Sequence, residues 1–127
     1  MRVRMFLVLL PCLLACGGCA GEKSTAQLLE DLKGPHERDR IIAVRLLPQR
    51  KQQAAQVVPG LIEALKDKDS DIRWSAAIGL GGFAEQARDA IPALQAAQRD
   101  RDARVREAAG KALSRIDPEA ARKPAVK

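Results

Sequence analysis

The sequence has few of the side chains from which small enzymes build an active site. Its 127 residues include no tyrosine, one tryptophan, one histidine and two phenylalanines. A catalytic pocket usually combines convergent polar groups with an apolar and often aromatic lining, and one histidine with few hydroxyls supplies no set of nucleophile, base and orienting group. The composition therefore argues against an enzyme, and it points to no metal site and no cofactor.

The apolar residues form no run long enough to cross a membrane. The longest run, residues 5–14, has about ten residues, whereas a spanning helix needs about twenty to cross roughly 30 Å of hydrocarbon. The run follows Arg2 and Arg4 and precedes small residues, which is the order of an export signal. Cysteine occurs only at positions 12, 16 and 19, so the folded part of an exported chain would contain no disulfide.

The end of this signal resembles the lipobox of bacterial lipoproteins, on the residues Leu13-Leu14-Ala15-Cys16. The resemblance implies that residues 1–20 form the signal region and that Cys16 is lipidated. It places the protein in the bacterial cell envelope, on the periplasmic side in a Gram-negative host. Cys19 fits less well because no leucine lies three residues before it. An ordinary cleaved signal and a metal or redox pair with CxxC spacing are the alternatives.

The sequence contains an internal repeat with a period of 33 residues. The stretches that begin at Val57 and Ala90 align closely, and a weaker copy precedes them. Such a period is typical of stacked helix pairs, which need neighbours to cover their apolar stripes. The units span about 25–50, 54–87 and 88–116, and residues 117–127 are predicted to be disordered. The matched positions are Pro59 and Pro92, Leu61 and Leu94, Asp67 and Asp100, Asp69 and Asp102, Ile72 and Val105, Arg73 and Arg106, Ala76 and Ala109, and Leu80 and Leu113, with Leu28, Leu32, Arg40, Ala43 and Leu47 in the weaker copy.

Each unit is predicted to form two helices joined by a polar turn. In the second unit the turn "DKDSD" supplies side chains that accept the free N–H groups at the start of the second helix. The spacing of Ser24 and Gln27 predicts a capping box that opens the first unit. Gly81 and Gly82 are predicted to end a helix in a left-handed cap.

This pattern resembles the HEAT repeat, and in particular the short HEAT repeats of phycobilisome lyases. The motifs Pro-x-Leu, Asp-x-Asp and Ile/Val-Arg carry the resemblance over about residues 25–116, within a domain of residues 21–116. The resemblance implies an all-α fold, an α-solenoid of about three helix pairs that serves as a scaffold or protein-binding surface. An accessory subunit related to bilin lyases and a nucleic-acid-binding HEAT-like protein are the alternatives.

One arginine recurs in each unit, and stacking would place the three in a row. The resemblance implies that they are structural and pair with turn acids such as Asp67 and Asp100, tying neighbouring units together. The alternative is a stripe that binds anions or nucleic acid. Removal of Arg2 and Arg4 lowers the formal net charge from +6 to +4, and one tryptophan offers little stacking to single strands, so we expect no nucleic acid partner. The row is Arg40, Arg73 and Arg106.

Trp74 is predicted to lie on the outward side of its helix, where members of this family usually show a charged residue. Stacking of the units would bring Ile41 and Ile78 beside it, with Arg45, Arg73 and Lys111 at the rim. Clustered apolar groups on a surface usually contact a partner, and tryptophan leads interface hot spots. The prediction is a protein partner, with self-association also open. Cover by another part of the chain, and exposure without a role, are the alternatives.

Overall fold

The computed structural model describes residues 21–122, and this part of the chain is built from α-helices and short 3₁₀ segments. The first helix of each unit pairs with the second, and the second helices pack side by side as one layer. The 3₁₀ segments Leu47–Gln49, Lys51–Gln53 and Ala84–Ala90 connect the units. The helices are α1 Thr25–Lys33, α2 Glu37–Leu46, α3 Ala54–Ala64, α4 Ser70–Gly81, α5 Ile91–Ala97, α6 Ala103–Ile116 and α7 Pro118–Arg122.

The core is made of residues at matching positions of the three units. Each of these side chains is fully buried, which is what a stack of equivalent helix pairs requires because each unit covers the apolar stripe of its neighbour. Alanine recurs midway along every second helix, where its small side chain permits close helix contact. The repeated core positions are Leu28, Leu61 and Leu94; Ala43, Ala76 and Ala109; and Leu47, Leu80 and Leu113.

The helix starts predicted at Ser24 and in the turn before α4 are confirmed, and the equivalent residue Asp102 starts α6 in the same way. The Ser24 side chain accepts the Gln27 backbone N–H, and the Gln27 side chain accepts the Ser24 N–H, so the capping box is complete. Asp69 accepts two backbone N–H groups at the start of α4, and Asp102 accepts one at the start of α6. These side chains satisfy N–H groups that have no partner within the helix.

The prediction of a left-handed glycine cap after α4 is wrong. Gly82 follows the helix with φ −74° and ψ −18°, which is right-handed, and positive φ occurs two residues later, at Ala84 with 50°. Gly81 is needed for a different reason, because a Cβ there would lie 3.0 Å from the Cα of Ala112 on α6. This glycine lets α4 and α6 approach closely.

The prediction of disorder from residue 117 onward is wrong for Asp117 to Arg122. The Asp117 carboxylate accepts the backbone N–H groups of Glu119 and Ala120, which starts α7. Ala121 packs against the core, and the Gln95 side chain donates to the Ala120 carbonyl. The cap, the apolar contact and the Gln95 hydrogen bond therefore dock a helix of five residues that has few apolar side chains. Residues 123–127 lie outside the described residues.

The predicted signal region also lies outside the described residues. Residues 1–20, including Cys16 and Cys19, are therefore known here from sequence alone. Within residues 21–122, no helix has the length and apolar character needed to cross a membrane.

Candidate functional site

The recurring arginines lie where neighbouring units meet, on the turns that precede the second helices. Arg73 donates from Nη1 to the carbonyls of Asp67 and Lys68 in its own turn, at 2.9 and 3.1 Å. Its Nε and Nη2 donate to both carboxylate oxygens of Asp100 in the next turn, at 2.8 and 2.9 Å. One guanidinium thus closes its own turn and joins it to the next unit. The hydrogen bonding between the Arg73 and Asp100 side chains raises the pKa of Arg73 and lowers the pKa of Asp100.

Arg40 makes the same connection one unit earlier, but less completely. Its Nη1 donates to the carbonyls of Gly34 and Pro35, and its Nε donates to Asp67 at 2.9 Å. Its Nη2 is buried without a hydrogen-bond partner among the described residues. An unsatisfied buried donor costs about 1–3 kcal/mol, so we expect this pair to hold the units together less strongly than the Arg73 pair.

The outer surface of the second-helix layer contains two hollows, one on each side of Trp74. The hollow between α4 and α6, the α4–α6 hollow, has a volume of roughly 400 Å³. The hollow between α2 and α4, the α2–α4 hollow, has a volume of roughly 580 Å³. Trp74 and Ile78, one turn apart on α4, line both, so these two side chains form a ridge between the hollows. Arg115 of α6 also lines both.

The charges along the α4–α6 hollow are mostly paired. Arg104 contacts Asp71 at 2.8 Å and Asp102 at 3.0 Å, and Lys111 contacts Glu107 at 2.6 Å. The hydrogen bond from Arg104 lowers the pKa of Asp102 to about 2, and that from Lys111 lowers the pKa of Glu107. These carboxylates are therefore ionised at neutral pH and occupied by cations.

The α2–α4 hollow is apolar with two cations at its edge. Val44, Pro48 and Gly79 contribute apolar walls. Arg45 and Arg115 line it and are exposed. Neither has an ion-pair partner within residues 21–122. The hollow can hold an apolar side chain whose neighbours carry negative charge.

Comparison with known proteins assigns the family. The family model for HEAT repeats matches residues 25–114. The chain belongs to the HEAT-repeat family. It is also similar to a chain in the structure of the complex of CpcE and CpcF of phycocyanin lyase from Nostoc sp. PCC7120, with 25% identity and a TM-score of 0.70. The match covers 82% of this chain and 41% of that one, so this HEAT protein spans about two fifths of that relative's length. No curated protein matched.

The HEAT fold confirms the predicted all-α solenoid. The three apolar residues of the predicted patch differ in how exposed they are and in whether they line the hollows. Ile78 is 46% exposed and Trp74 is half-buried against the core. Ile41 is also half-buried and lines neither hollow, whereas its neighbour Ile42 is 42% exposed. The apolar patch on this surface therefore centres on Trp74 and Ile78 of α4. Ile41 is not part of it.

Ile42 is exposed because α2 is the first helix of its layer. The repeat places it at the position of Ser75 in α4 and Ala108 in α6, both of which are buried. In α4 this flank faces α2, because Ser75 and Gly79 line the hollow that Val44 and Arg45 of α2 also line. Within the described residues no helix precedes α2 in the layer, so the same flank remains open, and Leu46 one turn later is exposed as well.

Two arginines do not have the roles predicted from the sequence: Arg73, expected at the rim of the Trp74 patch, and Arg106, expected to link neighbouring units. Arg73 cannot serve as a rim residue because it is 5% exposed and fully engaged by the turns. Arg106 is exposed and donates only to the carbonyls of Asp100 and Arg101 in its own turn, because the described chain has no following turn acid. The sequence prediction missed Arg115, although its place one turn after Lys111 puts both on one face of α6.

The single histidine takes no part in this surface. His36 is exposed at the residue before α2 and its side chain makes no capping hydrogen bond. Among residues 21–122, no group of three His, Cys, Asp or Glu side chains is arranged to hold a metal ion. The surface offers apolar walls and fixed cations, which suit binding.

Proposed function

We propose that this HEAT-repeat protein is a non-catalytic binding module that holds a protein partner on the surface of α2, α4 and α6 while a lipid on Cys16 anchors it to a membrane. The single observation that carries the binding proposal is the α4 ridge, where Trp74 and Ile78 separate two open hollows. Large apolar side chains that line surface hollows are typical of protein interfaces. The relative's structure is a complex of two proteins, which supports a protein partner.

The residues proposed for partner contact are the ridge and the cations near it. Trp74 and Ile78 would insert between apolar side chains of the partner, while Arg45 and Lys111 lie at the edges of the two hollows. The ordered Arg40 and Arg73 connections fix the turns between units. The surface is therefore preorganised, which reduces the entropy lost on binding.

Membrane anchoring rests on the lipobox resemblance of residues 13–16. Acyl chains contribute about 0.8 kcal/mol per buried CH₂, and more than one chain gives a stable anchor. In a bacterial host, the wild-type chain should incorporate labelled palmitate and sediment with membranes. Cys16→Ser should lose both, whereas Cys19→Ser should retain them. Retention of label in Cys16→Ser would refute the assignment of Cys16.

The binding proposal is tested by photo-crosslinking in the native host. A photoreactive amino acid replaces Ile78, which is exposed on the ridge, and in a matched control it replaces the exposed Ala96 of α5, which lines neither hollow. A discrete protein adduct is expected at position 78, absent at position 96 and abolished by Trp74→Glu. Adducts that are equal at both positions would contradict a specific surface.

A second candidate function is an accessory subunit of a bilin lyase. It is favoured by the similarity to a chain of the phycocyanin lyase complex. A bilin is a large, flexible ligand, and the two hollows of roughly 400 and 580 Å³ are open and separated by the ridge. The experiment that separates the two functions is purification of the chain from a host that makes bilins. Visible absorbance that co-purifies with the wild-type chain and is lost in Trp74→Glu would support the lyase subunit over the scaffold.

A further inference from the structure

The surface around Trp74 carries two arginines that the described part of the chain leaves without a counterion. Arg45 projects from α2 and Arg115 from α6, so they approach the α2–α4 hollow from opposite sides of α4. The other two cations that line the hollows, Arg104 and Lys111, are each held by carboxylates at 2.8 and 2.6 Å. The free positive charge is thus concentrated at the hollow with the larger volume.

The acids beside the α4–α6 hollow are already paired with cations. Asp71 contacts Arg104, and Glu107 contacts Lys111. They stabilise those cations locally and leave Arg45 and Arg115 to set the potential of the α2–α4 hollow. An occupant of this hollow therefore gains most by placing a negative charge next to an apolar side chain.

The two segments outside the described residues do not meet this requirement. Residues 1–20 and 123–127 contain no aspartate or glutamate, and each contains two basic side chains. A second copy docked by the same face would bring Arg45 and Arg115 against an identical pair, and like charges at an interface are unfavourable. Nucleic acid would supply charge, but single strands need several stacking aromatics, and the hollows have Trp74 alone.

We infer that the occupant is an acidic amphipathic helix of a partner protein, and this inference rests on the proposed function. Such a helix presents apolar side chains at intervals of three or four residues, with carboxylates on its flanks. Two apolar side chains enter the hollows on either side of the Trp74–Ile78 ridge. The flanking carboxylates pair with Arg45 and Arg115. Charge at the rim selects the partner and speeds its association.

The test uses the full chain in a non-ionic detergent and the fluorescence of Trp74, the only tryptophan in the sequence. The probes are three tryptophan-free helical peptides of about fifteen residues with the same leucine face and with glutamate, glutamine or lysine on the flanks. The glutamate peptide should shift the emission of Trp74 and bind about tenfold more tightly than the glutamine peptide. Its affinity should fall as the salt concentration rises.

The matched variants reverse charge at two sites each. Arg45→Glu/Arg115→Glu should lose about tenfold in affinity for the glutamate peptide and should prefer the lysine peptide. Arg88→Glu/Arg122→Glu changes the net charge equally at exposed residues that line neither hollow, and it should bind like the wild type. The switched preference shows that the reversed protein is folded, so loss of binding has an electrostatic cause.

The possible outcomes separate the inference from the proposed function. Equal binding of the glutamine and glutamate peptides would overturn the acidic partner while a protein-binding surface stands. Equal weakening by the two double variants would overturn the roles of Arg45 and Arg115. Displacement of the glutamate peptide by an oligothymidylate at equal concentration would replace the acidic helix with nucleic acid. No response of Trp74 to any peptide would overturn the inference, and failure of the crosslink at position 78 as well would overturn both.

Discussion

At the scale of residues, the strongest single connection between units is the buried pair of Arg73 and Asp100. Their side chains are 6% and 11% exposed, and the contact is bidentate. Removing one partner of such a pair leaves the other charge buried and uncompensated, which lowers the free energy of unfolding by roughly 3–5 kcal/mol. The pair therefore acts less as a source of net stability than as a constraint that fixes how two units stack.

The first prediction compares Arg73 with its counterpart at the open end of the row. Arg73→Met should lower the free energy of unfolding by about 3 kcal/mol, because Asp100 loses its counterion and two turn carbonyls lose their donor. Arg106→Met should lower it by about 1 kcal/mol or less, because the exposed Arg106 contacts only carbonyls of its own turn. Urea unfolding followed by circular dichroism measures both. Equal losses would refute the inter-unit role of Arg73.

The second prediction concerns how the free energy of unfolding changes at acidic pH. Arg73 holds the pKa of Asp100 below its ordinary value of about 3.9, so the unfolded chain binds a proton more readily than the folded chain. Stability from this pair is therefore complete above about pH 4 and is lost as the pH falls through the folded pKa. Arg73→Met should lose less stability than the wild type as the pH falls below about 4. Parallel profiles for wild type and variant would contradict the assignment.

At the scale of elements, the packing of α4 on α6 depends on the absence of a side chain at Gly81. A Cβ at this position would lie 3.0 Å from the Cα and 3.1 Å from the Cβ of Ala112, so the backbones would have to separate. Gly110, in the interior of α6, differs because the nearest atom to an added Cβ is the Gln98 amide nitrogen at 3.7 Å. The two glycines therefore form a matched pair, one at the tight contact of α4 with α6 and one with room for a methyl group.

The third prediction uses this pair. Gly81→Ala should destabilise the fold by about 1–3 kcal/mol, since an overpacked contact forces the helices apart. Gly110→Ala should stabilise it by about 0.5–1 kcal/mol, because alanine loses less backbone entropy in a helix and meets no obstruction. Thermal unfolding of both variants measures the opposite signs. A gain in Gly81→Ala would show that the spacing of α4 and α6 is not limited by this contact.

The helices could be predicted from the sequence wherever the repeat or a capping residue marked them. The 33-residue period located the helix pairs, and Ser24 and the turn that contains Asp69 marked two helix starts. Helix α7 was missed because it depends on a tertiary contact of Ala121 and on one cap. The role of Gly81 was missed because a close approach between helices leaves no local pattern in the sequence.

The candidate site could be predicted only in part for a related reason. Aligning the units brings Ile41 to the position of Trp74, but it does not reveal that α2 lies at the edge of the layer. The edge leaves Ile42 exposed, and the residues of α2 that line the α2–α4 hollow are Val44 and Arg45. Arg115 was missed because its proximity to α2 arises from the stacking of three helices.

At the scale of the whole molecule, the chain is a short stack of units whose second helices share one open surface. The C-terminal end is covered by α7, and the N-terminal edge exposes Ile42 and Leu46. The ordered turns hold α2, α4 and α6 at fixed spacing, so the ridge and its two hollows form one rigid feature. A short solenoid of this kind can present a binding surface without a catalytic pocket.

The most direct test of whether the surface around Trp74 is open is the quenching of Trp74 fluorescence by iodide and by caesium, measured on the full chain over a dilution series. We expect the emission of Trp74 to be accessible to both quenchers and unchanged on dilution, with iodide more effective because Arg45 and Arg115 attract anions. In Arg45→Glu/Arg115→Glu the order of the quenchers should reverse. A blue-shifted emission that neither quencher reaches at any concentration would mean that the chain covers its own ridge, and this would contradict a surface open to a partner.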